Sequence, residues 1–401
     1  MPMKTVGIVA EYNPFHLGHE RHIRESRRFV GEDCGIIAVM SGDFVQRGDV
    51  AVYSKFARAE AACRCGVNLV VELPLPWSLS SAETFSAGAV YLLNALGAEV
   101  LSFGSETADM AELQEVAAII AEPNLPTEVR SYLKNHPAAS FAAARQRVIE
   151  DRLGKSVSFM QKPNNILALE YLKAISSQNC PLQPLAIYRE GAGHDERGEN
   201  ALPSAAELRE RLYAAGSIHG AVPELAEEIY ERENQNGRQA TDRSTIDLLM
   251  LSRLRFLRKQ DFLDLPDAGN GLGRRLYQAV QQENSYERIL QAASTKRYPM
   301  ARIRRLYVSA ALGLKGEETA AQPPFARVLA FDEKGKLLLH QAARHARVPI
   351  LTKAAQVSEL SVYAQHIFDA GSRAHDFFTL MYPEKAQRDC GADWRTGPAI
   401  C

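Results

Sequence analysis

The chain reads as an α/β protein: a Rossmann-like parallel sheet, then a mainly helical region, then a small α/β segment at the C-terminal end. Three observations predict this. From residue 4 to about 110, nearly all-apolar strand patterns alternate with amphipathic helical ones, as in a parallel sheet covered on both faces. Beyond about residue 215 the strand pattern fades into helical spacing, and from Pro323 strand-like runs return. The regions expected are therefore 1–200, 201–315 and 316–401.

Thr5–Ala10 is the first strand, and Leu17–Phe29 has helical spacing. Gly35–Met40 is a second apolar run that ends in the polar loop Ser41–Gly48. Lys55–Cys65 is helical, Asn68–Glu72 a strand, Ala82–Leu96 a helix and Val100–Phe103 a strand. In such sheets ligands sit beyond the C-terminal ends of the strands. Glu11–His19, Ser41–Gly48, Leu73–Trp77 and Gly104–Glu106 all fall there, which predicts one pocket. Residues 107–155 read as covering helices, and Lys162–Tyr171 starts another with Asn164 and Asn165 at its N-terminal end. Pro184–Arg189 is expected to be the last strand of this sheet. Ser204-Ala205-Ala206-Glu207 is a capping box, and 222–312 reads as helices. The final segment reads as a strand at Arg327–Phe331, a Glu-Lys-Gly turn, an apolar run at Leu337–Leu339, a helix, and Val348–Thr352.

With 46% hydrophobic and 24% charged residues, the 401-residue chain has the composition of an ordinary soluble protein. A formal net charge of -1 excludes a global field for nucleic acid or membrane, so such a surface must be local. No apolar run approaches the ~18 residues a membrane helix needs, and a cytosolic protein without membrane contact is expected. The six cysteines are scattered, and Cys63-x-Cys65 fits neither a zinc nor a thioredoxin-type spacing, so reduced structural thiols are expected.

The chemistry concentrates in Gly7-Ile-Val-Ala-Glu-Tyr-Asn-Pro-Phe-His-Leu-Gly-His19. A strand that empties through a turn into a helix presents backbone N–H groups to an anion. His16 and His19 stand beside that point, where each can donate to a phosphate oxygen and stabilise charge on an α-phosphate and its leaving pyrophosphate. Glu11 and Asn13 share the turn, and backbone of Val9 and Ala10 would touch a nucleotide. In the Ser41–Gly48 loop, Arg47 could hold a carboxylate or phosphate, and Asp43 a metal ion or an amine. Lys55 reads as a surface or supporting cation. Gly104 at a strand end admits an adenine or ribose. Residues 274–315 carry nine positive and two negative side chains, a local charge of +7, with Tyr277, Tyr286, Tyr298 and Tyr307 interleaved. That pattern suits RNA.

These residues match a known pattern. GIVAEYNPFHLGH resembles the N-terminal motif of the HIGH-type nucleotidyltransferase superfamily. SGDFVQRG, VNLVVELP, the Phe85–Gly104 stretch, KPNNILALEYLKAI and TKRYPMARIRRL resemble the bacterial tRNA(Met) cytidine acetate ligase family, over residues 4 to about 353. The resemblance implies an enzyme that makes acetyl-adenylate from ATP and acetate, with Mg²⁺, and acetylates N4 of the wobble cytidine of elongator tRNA(Met). It implies that ATP lies against Gly7, Ile8, Val9, Ala10, Glu11, Tyr12 and Asn13, and against Pro14, Phe15, His16, Leu17, Gly18, His19 and Glu20. It adds Gly104, one of Asn164 and Asn165, and Arg189 with Glu190. The catalytic roles expected fall to His16, His19, Asp43 and Arg47, with Asp43 as the group that takes the cytidine amino proton. No protein ligand set for a metal is expected. Residues 1–200 would be the ATP-binding catalytic domain and 201–315 the tRNA-binding region. One departure stands out: the family's Ser-Ala-Thr-x-Ile-Arg motif is here Ser204-Ala205-Ala206-Glu207-Leu208-Arg209, without the threonine hydroxyl. The alternatives are an adenylyltransferase for a small metabolite, which leaves 274–315 unused, and an RNA-binding protein whose nucleotide site has lost catalysis.

Overall fold

In the computed structural model the described residues are 3–107, 109–188, 202–215, 217–295 and 298–401. The first crossover unit is β1 (Thr5–Ala10), α1 (Leu17–Val30) and β2 (Gly35–Ser41). A small hairpin, β3 (Phe44–Val45) and β4 (Asp49–Val50), precedes α2 (Lys55–Arg64), β5 (Leu69–Leu73), α3 (Ala82–Ala95) and β6 (Val100–Ser105). Helices α4 (Met110–Ala121), α5 (Leu125–Asn135), α6 (Phe141–Leu153) and α7 (Pro163–Ser177) lead to β7 (Gln183–Tyr188). Then come α8 (Ala205–Ala215), α9 (Glu224–Gln235), α10 (Arg243–Arg255), α11 (Lys259–Leu263), α12 (Leu272–Gln282), α13 (Tyr286–Ala293) and α14 (Met300–Leu312). The chain closes with β8 (Ala326–Phe331), α15 (Glu333–Ala342), β9 (Ile350–Leu351), α16 (Val362–Thr379), α17 (Ala392–Arg395) and β10 (Ala399–Ile400).

One sheet in the order β10-β8-β5-β2-β1-β6-β7, with β9 beside β8, organises the molecule. Strands β5, β2, β1, β6 and β7 are parallel, with β1 central and in register with β2 from Thr5↔Gly35 to Ala10↔Met40. Residues of β2 are buried throughout, which is why its sequence is a continuous apolar run. Alternate residues feed two cores. Ile37, Val39, Leu101 and Phe103 pack with α3, α4 and α7, while Val6, Ile8, Ile36 and Met40 pack with α1, α2 and α9. A third core joins Phe44 and Val50 of the hairpin to α10–α14 and to Phe378 of α16. Among the described residues no helix is long and apolar enough to cross a membrane.

Two expectations change. The C-terminal segment completes the first sheet: β8 pairs antiparallel with β5 (Leu69↔Phe331), and β9 and β10 run parallel to β8. Leu337–Leu339 is part of α15, because the Asp332 side chain accepts the Gly335 N–H as an N-cap and Leu338 and Ala342 are buried at helical spacing.

The added strand carries charge into the core. Lys55 Nζ lies 2.9 Å from Glu72 Oε1 and 2.9 Å from Asp393 Oδ1. Arg327 of β8 bonds the other side of Asp393 and lies 3.5 Å from Glu72. His375 of α16 bonds Asp43 at 2.7 Å. Each of these groups is buried, and the three cations oppose three carboxylates. Removing one partner from such a cluster strands the others. Asp393→Ala is therefore expected to lower unfolding free energy by about 3–5 kcal/mol in urea titration; a loss below about 1 kcal/mol would contradict the assignment.

Candidate active site

The turn after β1 is built by its neighbours. Tyr12 takes a left-handed backbone conformation (φ 47°), and the Asn13–Pro14 peptide is cis. Asn13 Oδ1 accepts the Val52 N–H at 3.0 Å, and Phe15 N–H donates to the Tyr230 hydroxyl at 2.9 Å. Arg209 of α8 donates to the Asn13 carbonyl at 2.9 Å. The fully buried Arg58 donates to the carbonyls of Glu11, Ser41, Gly42 and Tyr53. It thereby ties the end of β1 to the end of β2. Gly7 lies deeper and serves packing: a Cβ there would stand 2.7 Å from Leu93 of α3. Ile8 is likewise buried in the sheet, while Val9, Ala10 and Glu11 are only partly covered at the strand end.

His16 is the N-cap of α1. Its Nδ1 accepts the Gly18 N–H at 3.0 Å, and His19 Nδ1 accepts the His16 N–H at 3.2 Å. Both Nδ1 atoms act as acceptors, so each neutral ring carries its proton on Nε2. The ring centroids are 3.8 Å apart, and Tyr12 meets His19 edge-on at 4.9 Å. The turn thus uses the Nδ1 nitrogen of both rings. Leu17, Gly18 and Glu20 follow in the first turn, partly exposed, where the helix dipole favours an anion. Pro14 and Phe15 are buried beneath them.

Glu11 sits beside this turn, its Oε1 accepting the Gln46 N–H at 3.0 Å. Burial raises its pKa, against the lowering effect of the Arg47 and Arg209 guanidiniums nearby. Arg47 is exposed. The structure thus gathers Glu11, His16, His19, Arg47 and Arg209 at one end of the sheet. Among the described residues, Tyr12 Oη, Asn13 Nδ2 and Ser41 Oγ are buried there with no hydrogen-bond partner.

Asp43 corrects the sequence reading. Its carboxylate accepts the Lys55 N–H at 2.6 Å and bonds His375 at 2.7 Å, so it is not placed to take a proton or hold an amine or metal. Burial alone would raise its pKa, but His375, with Lys55 and Arg58, drives it far below the usual carboxylate range. Lys55, expected as a surface or supporting cation, is buried in the charge cluster and so has the second of those places.

Gly104 lies near the C-terminal end of β6, which pairs with β1 through Ser102↔Ile8. Beyond it, Glu106 accepts the backbone N–H groups of Asn164 and Asn165 and, at 2.6 Å, the Asn164 side chain. Asn165 is fully buried, held by Ser105, Glu106 and Phe159. Asn164 is the partly exposed one of the two. Arg189 and Glu190 lie outside the described residues.

Four of the nine cations of 274–315 bond to other parts of the protein. Arg275 caps the end of α13 through Ala292 and Ala293, and Arg302 donates to Asp267 O at 2.7 Å. Arg304 faces Asp49 at 3.7 Å and Arg305 faces Asp267 at 3.6 Å. Tyr277 packs on Phe262, Tyr286 on Tyr307, and Tyr298 bonds Asn270 O. Arg274, Arg288 and Lys315 remain exposed. Lys296 and Arg297 lie outside the described residues. This bundle also supports the Ser41–Gly48 loop: Gly48 (φ 77°) abuts α14 so closely that a Cβ would stand 2.4 Å from Arg305 N.

Sequence reasoning missed Arg58, Glu72, Arg327, His375 and Asp393. A signal existed for two of them: Glu72 and Arg327 are lone charges inside apolar strands, where a charge needs a buried partner.

The Asp43–His375 pair has a pH signature. Burial would lower the His375 pKa, but Asp43 raises it overall. Its stabilising part is complete below the ordinary histidine pKa of ~6.5 and is lost as pH rises through the higher folded value. The Asp43 part holds above ~3.9 and is lost as pH falls toward its depressed folded value. The difference in urea-unfolding free energy between the wild type and His375→Gln should be largest near pH 5–6 and shrink toward pH 9. A difference that does not vary with pH would contradict the ion pair.

A family model described as HIGH Nucleotidyl Transferase matches residues 3–393. A tRNA(Met) cytidine acetate ligase of Alkaliphilus metalliredigens (strain QYMF) is 31% identical over 423 residues, covering 99% of this chain and 98% of that one. One of Syntrophotalea carbinolica is 33% identical over 94% of this chain and 90% of its own. The crystal structure of Thermotoga maritima TmcAL in its apo form superposes with a TM-score of 0.92 at 30% identity, over 99% of both chains. The same protein bound with alpha-thio ATP gives 0.91. The likeness runs along the whole chain, which belongs to the HIGH nucleotidyltransferases and, among them, to the tRNA(Met) cytidine acetate ligase family.

Proposed function

We propose that this protein is an ATP-dependent ligase that activates acetate as acetyl-adenylate and transfers the acetyl group to N4 of the wobble cytidine of elongator tRNA(Met). The observation that carries the reading is the pair of imidazoles at the N-terminus of α1, each accepting a backbone N–H at Nδ1, with Arg47 and Arg209 at the same strand end. ATP lies across the ends of β1 and β6, its phosphates over α1 and its base or ribose near Gly104 and Asn164. An acetate oxygen attacks the α-phosphorus, and pyrophosphate leaves as charge builds on oxygens that the histidines, Arg209 and the helix N-terminus stabilise. The N4 amine then attacks the acetyl carbonyl, AMP departs, and the amine proton is lost to solvent or to the released phosphate.

The orphaned Tyr12, Asn13 and Ser41 groups support a polar occupant at these strand ends, where ligand atoms would satisfy them. Mg²⁺ fits as a companion of the phosphates rather than as a protein-held ion: Asp43 is engaged by His375, and Glu11 Oε1 accepts the Gln46 N–H. When bound it would neutralise phosphate charge. The missing threonine does not open the site, since Ser204 caps α8 with Glu207 and Arg209 reaches the turn from the same helix. Work in the cytoplasm follows from this reading.

Incubation with ATP, labelled acetate and tRNA, followed by digestion, should yield labelled acetylcytidine only when tRNA is present. Pyrophosphate exchange that depends on another metabolite and not on acetate would point to a small-molecule adenylyltransferase instead. His19→Ala should cut acetate-dependent ATP–pyrophosphate exchange by about 10²–10³-fold and leave tRNA affinity unchanged in filter binding; equal loss of both would refute the division of labour.

A further inference from the structure

A cation-rich run lies outside 274–315, at the junction of α10 and α11. Arg253-Leu-Arg255-Phe256-Leu-Arg258-Lys259 holds four positive side chains and no acid in seven residues. Leu254 is fully buried and Leu257 packs against the helical core, so the junction separates an apolar inner side from an outer side of cations. On that outer side Phe256 is 91% exposed. Arg253, Arg255, Arg258 and Lys259 are exposed around it.

The backbone holds the ring outward. Phe256 is the C-cap of α10, its N–H donating to Arg253 O. Arg258 is the N-cap of α11, its N–H donating to Asp261 Oδ2 at 2.7 Å. The guanidiniums of Arg253 and Arg255 donate to the carbonyls of Ala311 and Glu283 at 3.3 and 3.4 Å, long bonds that hold both side chains along the surface. Asp261, the nearest acid, is occupied by that cap and by the Arg258 guanidinium. A single exposed apolar side chain is ordinary. A phenyl ring in a short ordered link, surrounded by cations on three helix-terminal positions, has the chemistry of a base-stacking platform with phosphate contacts on either side.

We propose that Phe256 stacks on an unpaired base of the tRNA, with Arg255, Arg258 and Lys259 on the neighbouring phosphates. This rests on the tRNA substrate of the proposed function and locates its grip. The far end of α10 stands beside the catalytic turn: Arg243 pairs with Glu210 at 2.5 Å and covers the Tyr213 ring on α8, the helix that carries Arg209. At 1.5 Å per residue, α10 sets Phe256 about 20 Å from that end. The platform therefore holds a nucleotide other than the one acetylated.

Three variants test this: Phe256→Ala, Phe256→Tyr, and Arg258→Glu with Lys259→Glu. Phe256→Ala should raise the KM for tRNA and weaken filter binding by about fivefold or more, with acetate-dependent pyrophosphate exchange unchanged. Phe256→Tyr should restore both, and the double charge reversal should lower the slope of log affinity against log salt by about two. Unchanged tRNA affinity in all three would overturn the proposal while leaving acetylation by the wild type intact. A change in sedimentation instead of RNA affinity would also overturn it, as a protein contact. If the wild type acetylates no cytidine yet loses tRNA binding with Phe256→Ala, the platform stands and the proposed reaction falls.

Discussion

The site depends on a guanidinium that touches no substrate. Arg58, fully buried, donates to four backbone carbonyls, at Glu11, Ser41, Gly42 and Tyr53. Carbonyls at strand ends have no ladder partner and must be satisfied some other way. A planar fork with several donors does this for two strands at once, which a lysine could not. Burial lowers the Arg58 pKa, yet a guanidinium keeps its charge at any working pH, so the clamp does not titrate. Hydrogen bonds from a charged donor contribute about 1.5–3 kcal/mol each. That suffices to hold a left-handed Tyr12 and the bend that follows it.

Around this clamp the C-terminal segment acts as a lock. His375 and Asp393 come from helices more than 300 residues beyond Lys55, and they neutralise the charges beneath the Ser41–Gly48 loop. Arg327 delivers its charge from β8, the strand that joins the sheet antiparallel to β5. The loop is thus fixed from below by ion pairs and from the side by α14 at Gly48. This separates roles that adjacent residues in sequence could not reveal. Asp43 stabilises, Arg47 four residues later stays in solvent, and Gln46 between them positions Glu11.

The parallel strands and their helices were legible because each is a local pattern: β2 has no polar side chain before Ser41, and α1 begins at a histidine cap. The turn between β1 and α1 was legible for the same reason, being one contiguous segment. What could not be read was partnership across distance. Nothing near Asp43 names His375, and nothing near Lys55 names Asp393. The tyrosines of 274–315 looked like stacking surfaces because spacing does not say which face packs inward, and Tyr286 and Tyr307 pack on each other. Leu337–Leu339 misled because three consecutive apolar residues suit a short strand or a helix alike.

The central claim is that acetate itself attacks the α-phosphorus of ATP at the N-terminus of α1. Acetate labelled with ¹⁸O in both carboxylate oxygens tests it, with the products of a complete reaction with ATP and tRNA read by mass spectrometry. The account predicts one ¹⁸O atom in each AMP released and none in pyrophosphate. AMP free of label, or label in a phosphate other than AMP, would contradict it.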